Sequence, residues 1–299
     1  MTSSNPTLLV IGAQGQLARC LDEAAAAHNV HVVTIGRPDG DVRQSQGMGG
    51  RFAAYHPDVI VNTAAYTAVD QAETDVDEAF AVNRDGARFV ADAAGKLGVP
   101  LIHVSTDYVF NGKADGAYLE TDPIDPLGVY GRSKADGELL VMRSHNQSII
   151  LRTAWVYSAY GANFVKAILA AAAQRDTLQV VDDQRGAPTS AHDLAAAILK
   201  IAEKINAEGW SSTFAGVTHA TATGVVSRDD FAREIIRLSA ELNGPTADVE
   251  AVSSSLRPTA AERPANSELD CRRLSAIFGL QLPHWKSSLE TCIRRMVAQ

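Results

Sequence analysis

Cysteine is scarce in this sequence, and long hydrophobic runs are missing from it. The 299 residues include three cysteines, Cys20, Cys271 and Cys292, which lie far apart and match no metal-ligand spacing. We expect them to be reduced thiols in a cytoplasmic protein. No apolar run approaches the roughly 20 residues that span a membrane, and residues 1–6 lack the basic and then apolar pattern of a signal peptide.

Positive charge is also in the minority. The chain has 27 lysines and arginines against 35 acidic residues, which gives a formal net charge of −8. That balance argues against non-specific binding to nucleic acid or to an anionic membrane. The hydrophobic share of 46% is ordinary for a globular protein, and the length suits one large or two modest domains. The composition is compatible with either a monomer or a homodimer.

The chain begins with a pattern typical of a nucleotide-binding turn. Residues 7–11 are a short apolar run, and Gly12-Ala-Gln-Gly15-Gln16-Leu17-Ala18 then leads into an alanine-rich helix. Glycines between a strand and a helix let the backbone approach a ligand, and the helix N-terminus attracts a pyrophosphate. The pattern therefore predicts dinucleotide contacts at Gly12, Gly15, Gln16 and Leu17, although a tight turn without ligand would look similar.

The second predicted strand, residues 30–35, indicates which dinucleotide is bound. It ends in Gly36-Arg37, without the acidic residue that holds the adenosine ribose of NAD in this type of fold. Because Arg37 suits a 2′-phosphate, we predict NADPH as the coenzyme, with NADH left possible. Small residues after the third strand, 58–62, leave room for the coenzyme across the sheet edge. The other predicted coenzyme contacts are Asp41, Val42, Ala64, Ala65, Tyr66 and Thr67.

The segment 127–142 predicts a helix that carries an acid–base pair. Residues four apart share one helix face, so Tyr130 and Lys134 point into the same space. A neighbouring ammonium stabilises a phenolate and is expected to lower the pKa of Tyr130. The fourth strand, 100–104, is followed by Ser105 and Thr106, and a hydroxyl at this position can bind a substrate oxygen. An exposed lysine beside a packed tyrosine would show the same spacing.

Several motifs together carry a family resemblance. Residues 12–18, 105–112 and 130–134 resemble the extended short-chain dehydrogenase/reductases. The string Ser-Thr-Asp-Tyr-Val-Phe-Asn-Gly at 105–112 is similar to that of the dTDP-4-dehydrorhamnose reductase family in particular. So are Tyr-Gly-Arg-Ser-Lys-Ala-Asp-Gly-Glu at 130–138 and the segments 152–157, 186–189 and 263–267. The matching pieces run from residue 7 to about residue 290.

The resemblance implies a ketone reduction. NADPH would deliver hydride to carbon 4 of a dTDP-bound deoxyhexose, giving dTDP-L-rhamnose. Tyr130 would give the proton, Lys134 would tune Tyr130 and hold the nicotinamide ribose, and Thr106 would bind the carbonyl oxygen. These residue types suit the task, since a ketone reduction needs a hydride, a proton and an oxygen ligand.

The resemblance also implies a set of substrate contacts. Asp107 adjoins Thr106, the ring of Trp155 would pack on the apolar face of the sugar, and Arg263 and Asn266 would contact the diphosphate. An aromatic ring suits a deoxysugar, and an arginine fork suits phosphate oxygens. Ordinary core packing of Trp155 and a solvated loop arginine at 263 are the alternatives.

The alternation of strands and helices predicts an α/β fold, a doubly wound parallel sheet of the NAD(P)-binding Rossmann type with a smaller C-terminal substrate-binding lobe. We assign residues 1–155 and about 186–215 to the dinucleotide-binding domain. We assign the segments from about 156 to 185 and from 216 to 299 to the substrate lobe. The substrate should lie in the cleft between them.

Other functions on the same fold must be weighed. A nucleotide-sugar dehydratase would need adjacent acidic residues after Ser-Thr, but Asp107 is followed by Tyr108. A nucleotide-sugar epimerase keeps the tyrosine and lysine, and a non-catalytic regulatory subunit similar to the β subunit of methionine adenosyltransferase keeps much of the core. The residues predict no metal site. Magnesium at a dimer contact is implied by the resemblance alone, and the first helix reads Arg-Cys-Leu-Asp at 19–22 where a carboxylate ligand would be expected.

Overall fold

A computed structural model describes residues 5–297. Residues 1–4, which belong to the segment considered for a signal peptide, lie outside the described residues. The strands are β1 (Thr7–Ile11), β2 (His31–Ile35), β3 (Val59–Asn62), β4 (Leu101–Thr106), β5 (Ser148–Thr153), β6 (Val156–Tyr157), β7 (Thr177–Val181), β8 (Arg185–Gly186), β9 (Thr189–Ser190), β10 (Gly216–His219), β11 (Val226–Ser227), β12 (Asp248–Val252) and β13 (Asn266–Ser267).

The helices alternate with the strands through most of the chain. They are α1 (Gln16–Ala24), α2 (Met48–Ala53), α3 (Val69–Ala72), α4 (Val76–Phe80), α5 (Ala87–Leu97), α6 (Val129–Ser144), α7 (Phe164–Ala172), α8 (Ala191–Glu208), α9 (Arg228–Glu241), α10 (Arg272–Phe278) and α11 (Trp285–Val297). Helices α4 and α5 are joined by a π-helical turn at Ala81–Gly86. That turn places Asn83 beside the predicted catalytic helix, as described below.

A six-stranded parallel sheet forms the centre of the molecule, with strand order β10-β5-β4-β3-β1-β2. Strand β1 is suited to a central position because its residues Leu8 to Ile11 are all apolar, and they are completely buried. Leu8 and Val10 pack into the core on one face, with α1 and α8, whereas Leu9 and Ile11 pack on the other face, with α2 and α5. The prediction of a doubly wound parallel α/β sheet is confirmed.

The strand order reverses between β1 and β3, which leaves a crevice at their carboxyl ends. Crevices of this type are where open α/β sheets bind their ligands. Gly12 follows β1 and Thr63 follows β3, and the two meet so closely that a Cβ on Gly12 would lie 2.7 Å from Thr63 Oγ1. The sheet topology thus places the glycine-rich turn at the expected point.

A second core lies in the C-terminal half of the chain. Strands β7 and β12 pair in parallel, and α7, α9 and α11 pack around Phe231 and Trp285. Helix α8 lies in the segment 186–215 that we assign to the dinucleotide-binding domain, and it packs against α1. Strand β10 crosses the predicted division, because it forms an edge of the large sheet although it follows the boundary predicted at residue 215. The pairing of β10 with β5 buries backbone groups that a separate lobe would have left unpaired.

The cysteines are free thiols, with Cys20 and Cys292 buried and Cys271 half-buried. Burial raises the pKa of Cys20 and of Cys292 to about 12, which suits inert packing residues. Among residues 5–297, none of the helices combines the length and apolarity needed to cross a bilayer.

Candidate active site

Two adjoining cavities run along the carboxyl edge of the sheet. One, of about 480 Å³, extends from the glycine-rich turn to Arg37 and Asp41. The other, of about 560 Å³, extends from the same turn to Tyr130, Thr106 and Trp155. Gln14, Gly15, Thr63 and Ala65 line both cavities, so together they form one elongated cleft. Its elongated form suits an extended dinucleotide with a substrate at the far end.

The glycine-rich turn fits a dinucleotide. Gly12 has a φ of +108°, and its N–H donates to Ile35 O at 2.9 Å, so the turn is held open towards the cleft. Gly15 is the N-cap of α1 and has no side chain to cover the exposed N–H groups that follow. At the other end of the cleft the buried hydroxyl of Thr153 has no hydrogen-bond partner among the described residues. Both features leave polar groups available to a bound coenzyme.

The adenosine end of the cleft carries two arginines. Arg37, the residue predicted to meet a 2′-phosphate, lines this cavity from an exposed position. Asp41 and Val42 also line it, but the carboxylate of Asp41 is held by Arg43 at 2.8 Å, and this hydrogen bond lowers the pKa of Asp41. Arg43 also pairs with Glu78, whereas Arg37 has no ion-pair partner in the described part of the chain. Arg37 is therefore the guanidinium available to a 2′-phosphate.

The loop after β3 is held by a residue that the sequence analysis missed. Asn83, in the π-helical turn, accepts from the Tyr66 N–H at 2.8 Å and donates to Tyr66 O at 3.1 Å. Its amide also donates to Ser133 Oγ at 3.0 Å. The predicted coenzyme residues Ala64 to Tyr66 border the adenosine-end cavity, and Thr67 borders the other. One buried amide thereby joins this loop to α6.

Tyr130 and Lys134 both line the second cavity, in agreement with the spacing argument. The Lys134 side chain is 2% exposed, and its Nζ donates to Val104 O at 2.7 Å. Burial lowers the pKa of Lys134 to about 8. The ring of Tyr130 packs edge-on against Tyr108, with centroids 5.4 Å apart.

The expectation for the pKa of Tyr130 needs correction. Removal of the phenol from water raises the pKa of Tyr130, and the nearby Thr106 hydroxyl only partly opposes that effect. The ammonium does not lower it here, because Lys134 is engaged by a main-chain carbonyl and has itself become easier to deprotonate. At neutral pH the phenol of Tyr130 therefore carries its proton in the coenzyme-free protein.

Thr106 and Asp107 form a polar corner beside the phenol. The Thr106 hydroxyl donates to Asp107 Oδ1 at 2.9 Å and accepts from the Tyr108 N–H at 3.2 Å. Asp107 is 2% exposed, and burial raises the pKa of its carboxyl group. Both residues line the cavity, so they are available to a substrate carbonyl or hydroxyl.

Trp155 lies at the far end of the cleft but does not present both ring faces to it. The guanidinium of Arg228 lies 3.4 Å from the ring centroid, and the backbone of Gly186 approaches the ring so closely that a Cβ there would come within 2.8 Å of it. Trp155 has a φ of +48°, a strained conformation of the kind found at functional sites. A sugar that contacts Trp155 must therefore share the ring with Arg228.

Arg228 is a second residue that the sequence analysis missed. It starts α9, lines the cavity and has no ion-pair partner in the part of the chain that the structure describes. Burial lowers its pKa to about 10, so it stays charged at neutral pH. A lone cation in a cleft is suited to an anionic group of a ligand.

Arg263 and Asn266 are used mainly within the chain. Arg263 forms an ion pair with Asp70 at 2.6 Å, which ties its loop to α3. Asn266 donates to Ala114 O at 2.9 Å and Gly116 O at 2.8 Å, and accepts from the Glu268 N–H. The carboxamide of Asn266 has little bonding capacity left, so its predicted contact with the diphosphate has no support in this structure.

The first helix does not fit a magnesium site. Cys20 Sγ lies 3.5 Å from His192 Nδ1, and the Glu23 carboxylate pairs with Arg295 at 2.5 Å. Magnesium needs hard oxygen ligands, whereas a thiol is soft and a guanidinium competes for the carboxylate. Among the described residues, no group of three or more His, Cys, Asp or Glu side chains is arranged to hold a metal ion.

Comparison with known proteins gives a consistent result. The family model described as RmlD substrate binding domain matches residues 6–298. The dTDP-4-dehydrorhamnose reductase of Sinorhizobium fredii is 44% identical over 281 residues, which cover 94% of each chain.

Solved structures agree with this. A dTDP-4-dehydrorhamnose reductase from Clostridium acetobutylicum superposes with a TM-score of 0.89 at 35% identity, covering 97% of this chain and 99% of that one. The reductase from Bacillus anthracis, solved in complex with NADP, superposes with a TM-score of 0.89 at 33% identity and the same coverage. With the glycine turn, the Tyr130–Lys134 pair and the cleft between them in place, the chain belongs to the dTDP-4-dehydrorhamnose reductase family.

Proposed function

We propose that this protein reduces the carbon-4 ketone of dTDP-4-dehydrorhamnose to dTDP-L-rhamnose with NADPH as the reductant and Tyr130 as the proton donor. The observation that carries the proposal is the single cleft, which connects the glycine-rich turn with Lys134, Tyr130 and Thr106. Family membership makes a reductase of this sugar the expected activity.

The residues divide the reaction between them. NADPH, when bound, supplies the hydride. Thr106 orients the carbonyl oxygen by donating its hydroxyl proton to it, and for this the hydroxyl must turn away from Asp107 Oδ1, its acceptor at 2.9 Å in the coenzyme-free structure. Tyr130 transfers its phenolic proton to the oxygen as negative charge develops there, and its raised pKa ensures that the proton is present at neutral pH. Lys134 then stabilises the phenolate that is left behind.

The alternative functions receive less support. An epimerase must return hydride to the opposite face of a keto intermediate, which has to rotate within the site. The relatives of this chain at 35–44% identity are named mainly as reductases. A non-catalytic subunit would have no need for one cleft that holds a strained Trp155, an Arg228 without an ion-pair partner and a Thr153 hydroxyl without a hydrogen-bond partner among residues 5–297.

The test is an absorbance assay with NADPH and enzymatically prepared dTDP-4-dehydrorhamnose. We expect sugar-dependent loss of NADPH absorbance in the wild type. Tyr130→Phe removes the proton donor, so kcat should fall by roughly a hundredfold or more while the Kd for NADPH stays within about twofold.

Tyr55→Phe provides the matched control, because it removes a phenolic hydroxyl outside the cleft and next to the core that contains Phe52. It should keep wild-type turnover. Undiminished turnover in Tyr130→Phe would remove Tyr130 from the mechanism. Sugar-independent or absent oxidation of NADPH by the wild type would refute the proposed activity.

A further inference from the structure

Asn62, at the end of β3, is fixed in orientation by its neighbours. Its Oδ1 accepts from the Ala64 N–H at 3.1 Å, which identifies the oxygen and the nitrogen of the amide. Nδ2 then lies 3.1 Å from Nδ1 of His103. An amide NH₂ group can only donate, so Nδ1 of His103 must be the acceptor and carries no proton.

His103, on β4, therefore has one available tautomer. Its side chain is 1% exposed, and burial lowers its pKa well below 6.5, so the ring is neutral at physiological pH. A neutral imidazole has a single N–H, and with Nδ1 unprotonated the proton must be on Nε2. That N–H faces Nζ of Lys134 across 3.4 Å.

An ammonium at Lys134 conflicts with this arrangement. A protonated Nζ has three donors and no acceptor, so it would meet the Nε2–H of His103 donor to donor. An uncharged amine has a lone pair, which accepts from Nε2–H while one of its own N–H bonds donates to Val104 O at 2.7 Å. If the amide of Asn62 were turned over so that His103 could accept from an ammonium, the NH₂ group of Asn62 would face the Ala64 N–H, and two donors would meet there.

We propose that Asn62 and His103 are positioning residues that favour the uncharged amine of Lys134 in the coenzyme-free protein, so that near pH 8 a large share of the molecules carry Lys134 without its extra proton. On coenzyme binding, an uncharged Nζ takes up one proton from solvent, because the cleft then offers it new acceptors. The inference rests on the proposed role of Lys134 towards the nicotinamide ribose. It makes the charge that stabilises the Tyr130 phenolate depend on coenzyme at neutral to mildly alkaline pH.

Among the groups packed around Lys134 in the described residues, Glu138 supplies a charge that favours the ammonium. His103 faces Lys134 from β4, and Tyr130 and Glu138 lie on α6 itself. The carboxylate of Glu138 favours the ammonium, but it is already bound by Ser105 Oγ at 2.5 Å and by Arg152, on β5, at 2.6 Å. Burial outweighs Glu138 and lowers the pKa of Lys134 to about 8.

The experiment measures the titration of Lys134 directly in the coenzyme-free protein. Lysine labelled with ¹³C at Cε is followed by NMR, and the Lys134→Met variant assigns the signal. We expect Lys134 to titrate well below the roughly 10.4 of an ordinary lysine. In Asn62→Asp the new carboxylate accepts from a protonated Nδ1 of His103, so Nε2 of His103 loses its proton and becomes an acceptor for Lys134. The pKa of Lys134 should then rise by about one unit or more.

Two further variants complete the design. His103→Gln adds no charge and offers a carbonyl oxygen to Nζ of Lys134. It should therefore also raise the pKa of Lys134. Asn146→Asp adds the same charge on an exposed loop and should leave the titration unchanged. An ordinary lysine pKa in the wild type, or an unchanged pKa in both Asn62→Asp and His103→Gln, would overturn the inference.

A second measurement links the titration to coenzyme. Calorimetry of NADPH binding at about pH 8.5, in buffers of different ionisation enthalpy, counts the protons taken up. We expect uptake by the wild type and much less by Asn62→Asp, in which Lys134 is already charged. NADPH binding without proton uptake by the wild type would contradict the inference. Neither measurement needs the sugar, so a wrong substrate assignment would not affect the result.

Discussion

At the scale of single residues, burial acts in opposite directions on Tyr130 and Lys134. It disfavours the charged form of each, so the pKa of the phenol rises while the pKa of the amine falls to about 8. The phenol consequently keeps the proton that it must donate. The amine is left close to its titration point at physiological pH, where a small change in hydrogen bonding decides its charge.

Arg37 carries the prediction of coenzyme choice at this scale. Its guanidinium lines the adenosine end of the cleft without an ion-pair partner among the described residues, whereas Arg43 is already paired with Asp41 and Glu78. Arg37→Ala should raise the KM for NADPH by roughly tenfold, the size of one charged hydrogen bond. NADH lacks the 2′-phosphate and serves as the control substrate, so its KM should change little. Equal effects on the two coenzymes would contradict the assignment.

At the scale of elements, α6 is held unusually close to its neighbours. A Cβ on Gly131 would lie 2.2 Å from Tyr108 O, and one on Gly137 would lie 2.1 Å from Asn83 O. The buried ion pair of Glu138 with Arg152, at 2.6 Å, fixes the same helix to β5. These contacts determine where Tyr130 stands relative to Thr106.

Gly131→Ala tests this placement. The added methyl group must push α6 away from the Tyr108 loop, which should lower the free energy of unfolding by about 1–3 kcal/mol. A displacement of about 1 Å at Tyr130 should also lower kcat by roughly a hundredfold. Urea denaturation and steady-state kinetics measure the two effects.

Gly50→Ala is the matched control for Gly131→Ala. Gly50 lies in α2, and a Cβ there would meet nothing within 4 Å. The substitution should stabilise the protein by about 0.5–1 kcal/mol, because alanine loses less backbone entropy than glycine in a helix. If Gly131→Ala behaved like Gly50→Ala, the close approach of α6 would not matter for catalysis.

At the scale of the whole molecule, the cleft depends on segments distant in sequence. Strand β10 completes the large sheet, and α8 returns from the C-terminal half to pack on α1. His219 ends β10 and is completely buried, with ring nitrogens that lack hydrogen-bond partners of normal geometry in the described residues. Burial, helped by the charge of Arg152, lowers the pKa of His219 to about 3.

The stability of the whole protein should therefore depend on pH through His219. Its folded pKa of about 3 lies below the unfolded value near 6.5, so the unfolded chain binds the proton more readily between these values. Stability is complete above pH 6.5 and should fall by up to about 1.4 kcal/mol per pH unit below it.

Urea denaturation at pH 7 and pH 5 measures this effect. The pH dependence should be weaker in His219→Leu than in the wild type. His31→Leu, at an exposed position, should keep the wild-type dependence. An identical slope in His219→Leu and the wild type would contradict the assignment to His219.

The sequence by itself determined the parts of this protein that depend on local pattern. Apolar runs bounded by glycine gave the central strands, and the four-residue spacing of Tyr130 and Lys134 placed both side chains on one helix face. Family motifs spread along the chain were enough to indicate the reductase family. These features need only neighbouring residues, and so they can be read from the order of amino acids.

Only the tertiary structure decided which polar groups meet. It paired Arg263 with Asp70, placed Arg228 on Trp155, and brought Asn62 and His103 to Lys134. The direction of the pKa shift at Tyr130 also depended on burial that no local pattern reveals. Partners far apart in sequence, and the water excluded between them, are set by how strands and helices pack, and that packing fixes the charges on which the chemistry depends.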